Sequence, residues 1–243
     1  MSDVIDQPNP PASPPRAPGA PAQMAAPTYA PNQPRALASR RAWIILLLVT
    51  SLALAADLFS KSWAFARIAD APVTVDRETV LRVGAIDPSR ISSLIPPHHA
   101  VQAVPGLLEL TLVLNPGAVF GIGAGKRWFF MIFTGLAMAF AFYMFAVWTR
   151  PRDWLSHTAI GLLIAGGLGN LYDRWFFGCV RDFLHPLPNV KWPFGLKLTG
   201  SNGDIWPYVS NVADLFLIIG ILVLAARLWK QDANRARAAA APA

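Results

Sequence analysis

Charge is scarce in this sequence. Of its 243 residues only 14% are Asp, Glu, Lys or Arg, while 54% are hydrophobic; a soluble domain carries about 25% charged residues. So few polar groups cannot cover a water-facing surface, which argues against a soluble enzyme or binding module. Cysteine is rarer still. Cys179 stands alone, which excludes an intrachain disulfide and a cysteine metal cluster and reads as an inert thiol. His98, His99, His157 and His185 are scattered without H-E-x-x-H or other ligand spacing, so neither a metal nor a cofactor is expected. Gly121-Ile-Gly123-Ala-Gly125 lacks the strand-loop-helix context of a phosphate loop. Internal repeats are lacking too. The formal charge is +7, from 21 basic and 14 acidic residues. Basic residues flank membrane spans as readily as they meet nucleic acid, and no nucleic-acid partner is expected.

What the chain has in quantity is apolar runs of bilayer length. Four read as spans: about 42–66, opening on WIILLLV; about 128–148, rich in Phe, Met and Ala; about 154–172, with the small-residue patch AGGLGN; and about 212–229, with LFLIIGILVLAA. Trp43, Trp128, Trp148, Trp154 and Trp229 sit near their ends, as interfacial anchors do. The fold class expected is an all-α membrane protein of four transmembrane helices with a small extracytoplasmic β element. Ten of the 22 prolines fall in the first 34 residues. That composition buries too little to offset ordering entropy. The expected organisation is therefore a disordered Pro/Ala-rich cytoplasmic tail over 1–36, a four-span domain over 37–232, and a flexible tail over 233–243. The first apolar run starts only after Arg40-Arg41 and continues as a span, so it reads as an uncleaved anchor, not a signal peptide.

Charge placement gives the orientation. One side receives Arg35, Arg40, Arg41, Arg150, Arg152, Arg227, Lys230, Arg235 and Arg237. The basics of the other side (Arg77, Arg82, Arg90, Lys126, Arg127) lie mostly in a loop long enough to weaken the rule. Both termini are placed in the cytoplasm. The outer connections, about 67–126 and 173–211, are long. The first holds the period-2 run Leu108-Glu-Leu-Thr-Leu-Val-Leu114, with Val80-Leu-Arg-Val83 as a candidate pairing strand.

Ionisable groups at membrane depth cost roughly 2.5–3.5 kcal/mol on insertion scales and are functional candidates by default. Four carboxylates qualify: Asp57, Asp173, Asp182 and Asp214. Asp182 follows the third span, Asp214 opens the fourth and Asn115 precedes the second, so all three belong to one outer face. Two carboxylates there suggest an aspartyl pair sharing one proton, the ionised partner activating water and the protonated one polarising a carbonyl. The competing reading is an Asp capping a helix, which Asp214 beside Asn211 fits well. Asp57 and Lys61 lie one turn apart and can neutralise each other; an ion pair that permits burial is the simpler role than catalysis. Ser60-Lys61 gives only a weak hint of a Ser/Lys protease, since adjacent helical residues point about 100° apart. Asp173-Arg174 is expected to brace the third span, leaving Arg174 free to hold a substrate carbonyl. Packing is the default role of Gly166, Gly167 and Gly169, and a turn that of the segment starting at Asn115.

These residues resemble the lipoprotein signal peptidase (signal peptidase II) family. Asn115-Pro-Gly-Ala-Val-Phe-Gly121 resembles its N-x-G-x-x-F segment. Gly166-Gly-Leu-Gly-Asn-Leu-Tyr-Asp-Arg174, followed by Gly178-Cys-Val-Arg-Asp-Phe183, resembles its G-G-x-x-G-N-x-x-D-R…G-x-V-x-D-F block. Asn211-Val-Ala-Asp214 resembles its N-x-A-D block, and Asp57 with Lys61 its Asp-x-x-x-Lys pair. The resemblance covers about residues 42–230. It implies a metal-independent aspartic endopeptidase with Asp182 and Asp214 catalytic. Asn115, Gly117, Asn170, Arg174 and Asn211 become substrate-binding or positioning groups, supported by Asp57, Lys61 and Asp173. The implied substrate is a prolipoprotein, cleaved just before a cysteine carrying a diacylglyceryl group. Membrane lipid is the other partner, a monomer the expected state, and the bacterial cell (inner) membrane the location, with the site at the extracytoplasmic face.

Two residues depart from the family's pattern. Pro116 sits inside the asparagine block, and Arg181 stands before Asp182 where an aliphatic residue is usual. The connection between Asp182 and Asp214 and the first outer loop are both longer than the family's. The alternative class is a small proton-coupled transporter or channel using the four carboxylates as a relay. A relay wants carboxylates staggered in depth, whereas these cluster towards one face. Membrane aspartyl proteases of the presenilin or prepilin-peptidase type need G-x-G-D, and Gly167-Leu-Gly-Asn170 has Asn in that place.

Overall fold

The computed structural model describes residues 35–117, 127–196 and 203–240. The tail expected over 1–36 lies almost wholly outside them, as do the second half of the asparagine block and the Gly121–Gly125 run. Among the described residues, five α-helices and a three-stranded sheet carry the fold. In chain order the helices are α1 (Arg40–Arg67), α2 (Arg77–Ile86), α3 (Arg127–Tyr143), α4 (Trp154–Phe176) and α5 (Val212–Ala240). The strands are β1 (Val101–Val104), β2 (Leu108–Asn115) and β3 (Val180–Pro186), antiparallel throughout in the order β1-β2-β3.

Local chemistry explains where these elements begin. Ser39 caps α1 by accepting the N–H of Ala42 at 3.3 Å. Asp76 caps α2 through the N–H of Thr79 at 2.8 Å, with Glu78 in its first turn. That cap corrects one expectation: Val80–Val83 is helical and does not pair with β2. The capping aspartate and the burial of Val80 on one helical face outweigh the β preference of its valines. The strand paired with the outer edge of β2 is β1, reached through a turn at Gly106.

Among the described residues, three helices are long and apolar enough to cross a membrane: Arg40–Arg67, Arg127–Trp148 and Val212–Asn234. They turn large apolar side chains outward, Phe59 on α1, Phe133 on α3 and Leu222 on α5 each more than 60% exposed. Such surface suits lipid and not water. The fourth expected span, α4, is not among them. It carries Ser156, His157, Asn170, Asp173 and Arg174 besides its glycines, and its inward face is buried against α1, α3 and α5. Close approach in its C-terminal half depends on Gly169, where a Cβ would collide with the carboxylate of Asp57.

The bundle has two unlike ends. At one, Ala36 donates its N–H to Thr149 at 3.1 Å and Arg227 pairs with Asp153 at 2.9 Å. The start of α1, the α3–α4 connection and the far part of α5 therefore meet. At the other end the sheet and α2 pack on the last turns of α1, around Phe65, Val80, Leu112, Leu114 and Phe183.

Candidate active site

Backbone pairing brings the sheet to the start of α5. The N–H groups of Phe183 and Leu184 both reach the carbonyl of Ser210, and Ser210 returns its N–H to Leu184 at 2.8 Å. Asn211 and Asp214 thus begin α5 directly beside Asp182 on β3. On the other side of β3, Asn115 pairs with Val180, which puts its side chain diagonal to Asp182 on the same face of the sheet.

Three asparagine amides organise the two carboxylates. Asn115 accepts the N–H of Gly117 on Oδ1 at 2.9 Å, so its Nδ2 is left to donate to Oδ2 of Asp182, also at 2.9 Å. Gly117 makes that turn with φ +97°, a left-handed conformation that favours glycine. Asn211 accepts the N–H of Asp214 on Oδ1 at 3.2 Å and gives Nδ2 to Oδ1 of Asp182 at 2.6 Å. Asn170, from α4, accepts Lys61 Nζ at 3.1 Å and Asn211 Nδ2 at 3.2 Å, and donates to Oδ1 of Asp214 at 2.8 Å. Oδ2 of Asp214 takes the N–H of Asn211 at 3.2 Å. Each carboxylate oxygen therefore receives one donor, and each asparagine oxygen is already committed.

Asp214 does cap its helix: the exchange of N–H groups with Asn211 is a capping box. The capping role and membership of a carboxylate pair coexist in one side chain. Asp182 is 1% exposed. Burial, and then the nearby charge of Asp214, push its carboxyl up to about 7, against the lowering pull of Asn211 and Asn115.

A second layer of charge lies behind the asparagines. Lys61 pairs with Asp57 at 2.8 Å and with Asp173 at 3.6 Å, all three fully buried. The other oxygen of Asp57 accepts the N–H of Ala213 at 2.8 Å, satisfying an orphan donor at the start of α5. Asp173 does not pair with Arg174. Its partner is Arg181, which offers Nη2 at 2.9 Å, Nε at 3.3 Å and its own N–H at 2.9 Å. Arg174 instead donates to the carbonyl of Asn170 at 3.1 Å and lies over the ring of Phe130. Ser60 donates its hydroxyl to the carbonyl of Asp57, away from any Ser/Lys arrangement. Cys179 is fully buried, and burial pushes its thiol up to about 12, so it stays protonated.

Residues 49–230 match the family described as signal peptidase (SPase) II. The chain belongs to that family. Every residue of the cluster, from Asp57 to Asp214, falls inside the matched stretch. A lipoprotein signal peptidase of Desulfitobacterium hafniense is 34% identical over 135 residues, 55% of this chain and 77% of the relative. One of Streptococcus pyogenes is 33% identical over 129 residues, 53% of this chain and 74% of the relative. A solved bacterial membrane enzyme, determined by the in meso method at 2.3 Å, is 28% identical with a TM-score of 0.46, over 65% of this chain and 87% of that one. Signal peptidase II is a peptidase family, and the apolar helices of this chain suit a membrane enzyme.

All ten residues singled out from the sequence lie in the described structure. Asn115, Asn170, Asp182, Asn211 and Asp214 form one hydrogen-bonded group; Gly117 turns the chain beside it; Asp57, Lys61 and Asp173 support it from behind, and Arg174 flanks it. The partner of Asp173 was the residue missed. Alternate strand residues face opposite ways, so Arg181 had to point away from Asp182. The cation next in sequence is not the cation next in space.

Proposed function

We propose that this chain removes signal peptides from diacylglyceryl-modified prolipoproteins, cleaving before the lipidated cysteine, with Asp182 and Asp214 as the catalytic pair. The observation that carries this reading is the bridge of Asn211 between the two carboxylates. Asp182, buried and raised towards neutrality, keeps the shared proton. Asp214 is half-buried and in the first turn of α5, where the helix N-terminus favours a carboxylate; it is the base. It takes a proton from water, whose oxygen attacks the scissile carbonyl carbon as Asp182 gives its proton to the carbonyl oxygen. The tetrahedral species collapses, the C–N bond breaks and the amine leaves with the proton held by Asp214. The hydroxyl formed on the carbonyl returns its proton to the pair. Arg174, a cation at the edge of this group, is suited to hold a second substrate carbonyl.

In this reading α4 is the fourth span, enclosed by the other three, and both termini are cytoplasmic with the site at the extracytoplasmic face. The peptidase domain is residues 37–232. The substrate's lipid then lies in the outer leaflet, and its signal helix packs beside the spans. Membership of a peptidase family leaves the proton-relay reading without support.

The test uses purified full-length protein and a diacylglyceryl-modified precursor. Wild type should cleave in the presence of chelator, and Asp182→Asn and Asp214→Asn should each lose about 10³-fold or more in rate. Equal cleavage of the unlipidated precursor, or an active Asp214→Asn enzyme, would overturn the assignment.

A further inference from the structure

Arg181 is a buried cation that the proposed chemistry does not use. It is 6% exposed, held flat against Phe177 with its guanidinium carbon 4.1 Å from the ring centroid, and spends two guanidinium nitrogens on Asp173. A buried carboxylate would otherwise have to share Lys61, which already serves Asp57 and Asn170. With Arg181 in place, Asp57, Lys61, Asp173 and Arg181 form a closed set of two acids and two bases whose formal charges sum to zero.

That neutrality matters because of what the set adjoins. Lys61 touches Asn170, and Asn170 touches Asp214. Among the described residues, the charged or titratable groups next to the Asp182–Asp214 pair are Lys61 from α1, Arg174 from α4 and the Cys179 thiol before β3; Asp57, Asp173 and Arg181 stand one layer behind, around Lys61. The contribution of β2 is the neutral Asn115. Removing Arg181 would leave one uncompensated negative charge in a low-dielectric wall next to two carboxylates. A proton on the pair would then be bound more tightly.

We propose that Arg181 is a positioning residue of the peptidase reaction, which neutralises Asp173 and so fixes the pH range in which the Asp182–Asp214 pair holds a single proton. This rests on the reading of Asp182 and Asp214 given above. It assigns a role to a residue that touches neither the pair's oxygens nor the substrate.

The experiment is a pH–rate profile of kcat/KM on the lipidated precursor, for the full chain in detergent. Arg181→Gln should move both limbs of the bell upward by roughly one pH unit, the scale of one added charge at an effective dielectric of about 20. Arg181→Lys, which keeps the charge, should restore the wild-type position. The double variant Arg181→Gln with Asp173→Asn, which removes one charge of each sign, should also return the profile to its original place whatever its maximal rate. A merely structural role would change the rate or the yield without moving the limbs. Wild-type cleavage with a bell that Arg181→Gln leaves in place overturns this inference alone. Wild-type cleavage that persists in Asp182→Asn overturns the underlying assignment and this inference with it. If Arg181→Gln does not fold, Asp173→Asn alone, which leaves one excess positive charge, should move both limbs downward; a bell that stays in place in that variant overturns the proposal.

Discussion

Nδ2 of Asn211 lies 2.6 Å from Oδ1 of Asp182, while Oδ1 of the same amide receives the N–H of Asp214. One side chain therefore starts a helix and spaces two carboxylates. The two duties can be separated. Serine also caps helices well but is too short to keep the reach to Asp182. Asn211→Ser should keep a thermal midpoint close to that of wild type while kcat/KM falls about 100-fold, in the range of a lost positioning group. A fully active Asn211→Ser would dissolve the link between the bridge and the reaction.

The raised carboxyl of Asp182 has a stability consequence whose sign is fixed. Burial pushes it up to about 7, above the 3.8 of an ordinary Asp carboxyl, so the folded chain holds the proton more tightly than the unfolded one. The cost of ionising it is absent below about pH 4 and grows as pH rises towards 7. Asp182→Asn never carries that cost. The thermal midpoint of wild type, measured relative to Asp182→Asn in the same detergent, should therefore fall between about pH 4 and pH 7 and level off above. A flat difference would mean that Asp182 ionises equally easily in both states.

Lys61 separates two buried acids. Replacing it with Met should destabilise the protein by about 3–5 kcal/mol, because two carboxylates would lose a buried partner at once. Thermal unfolding monitored in detergent, or the yield of monodisperse protein, reads this directly.

Gly169 has no room for a methyl group against Asp57, whereas nothing lies within 4 Å of a Cβ built on Gly135 of α3. Gly169→Ala should cost about 1–3 kcal/mol by overpacking and lower activity with it. Gly135→Ala should be neutral or slightly stabilising, since it gains helix propensity without a clash. Matching thermal shifts for the two variants would be the contrary result.

Much of this arrangement was readable before the fold was known, and for a physical reason. In a chain so poor in charge, an ionisable residue inside an apolar segment has to be accounted for, which leads to Asp57, Lys61, Asp173, Asp182 and Asp214, whereas Asn170 comes only with the family resemblance. Chain order across the spans then put Asn115, Asp182 and Asp214 at one end. Three features escaped. The valines of Val80–Val83 favour a sheet, while the cap at Asp76, four residues earlier, decides for helix. Asp173 pairs with Arg181, because Arg174, though adjacent in sequence, is occupied elsewhere. The direction of each asparagine NH2 depends on contacts 29 to 67 residues apart, beyond the reach of any local pattern.

The enclosed position of α4 bears on how such a protein is made. A helix that meets neighbours on its polar face escapes much of lipid's demand for hydrophobicity, and α4 uses that freedom for Asn170, Asp173 and Arg174. The same freedom makes it a poor candidate to enter a bilayer alone. In the four-span reading, α1 and α3 are synthesised first and α5 last, so α4 must be held by its predecessors before the partner that supplies Asn211 and Asp214 exists. The chemistry would then be the final thing to form, assembled only when the C-terminal helix closes against the other three.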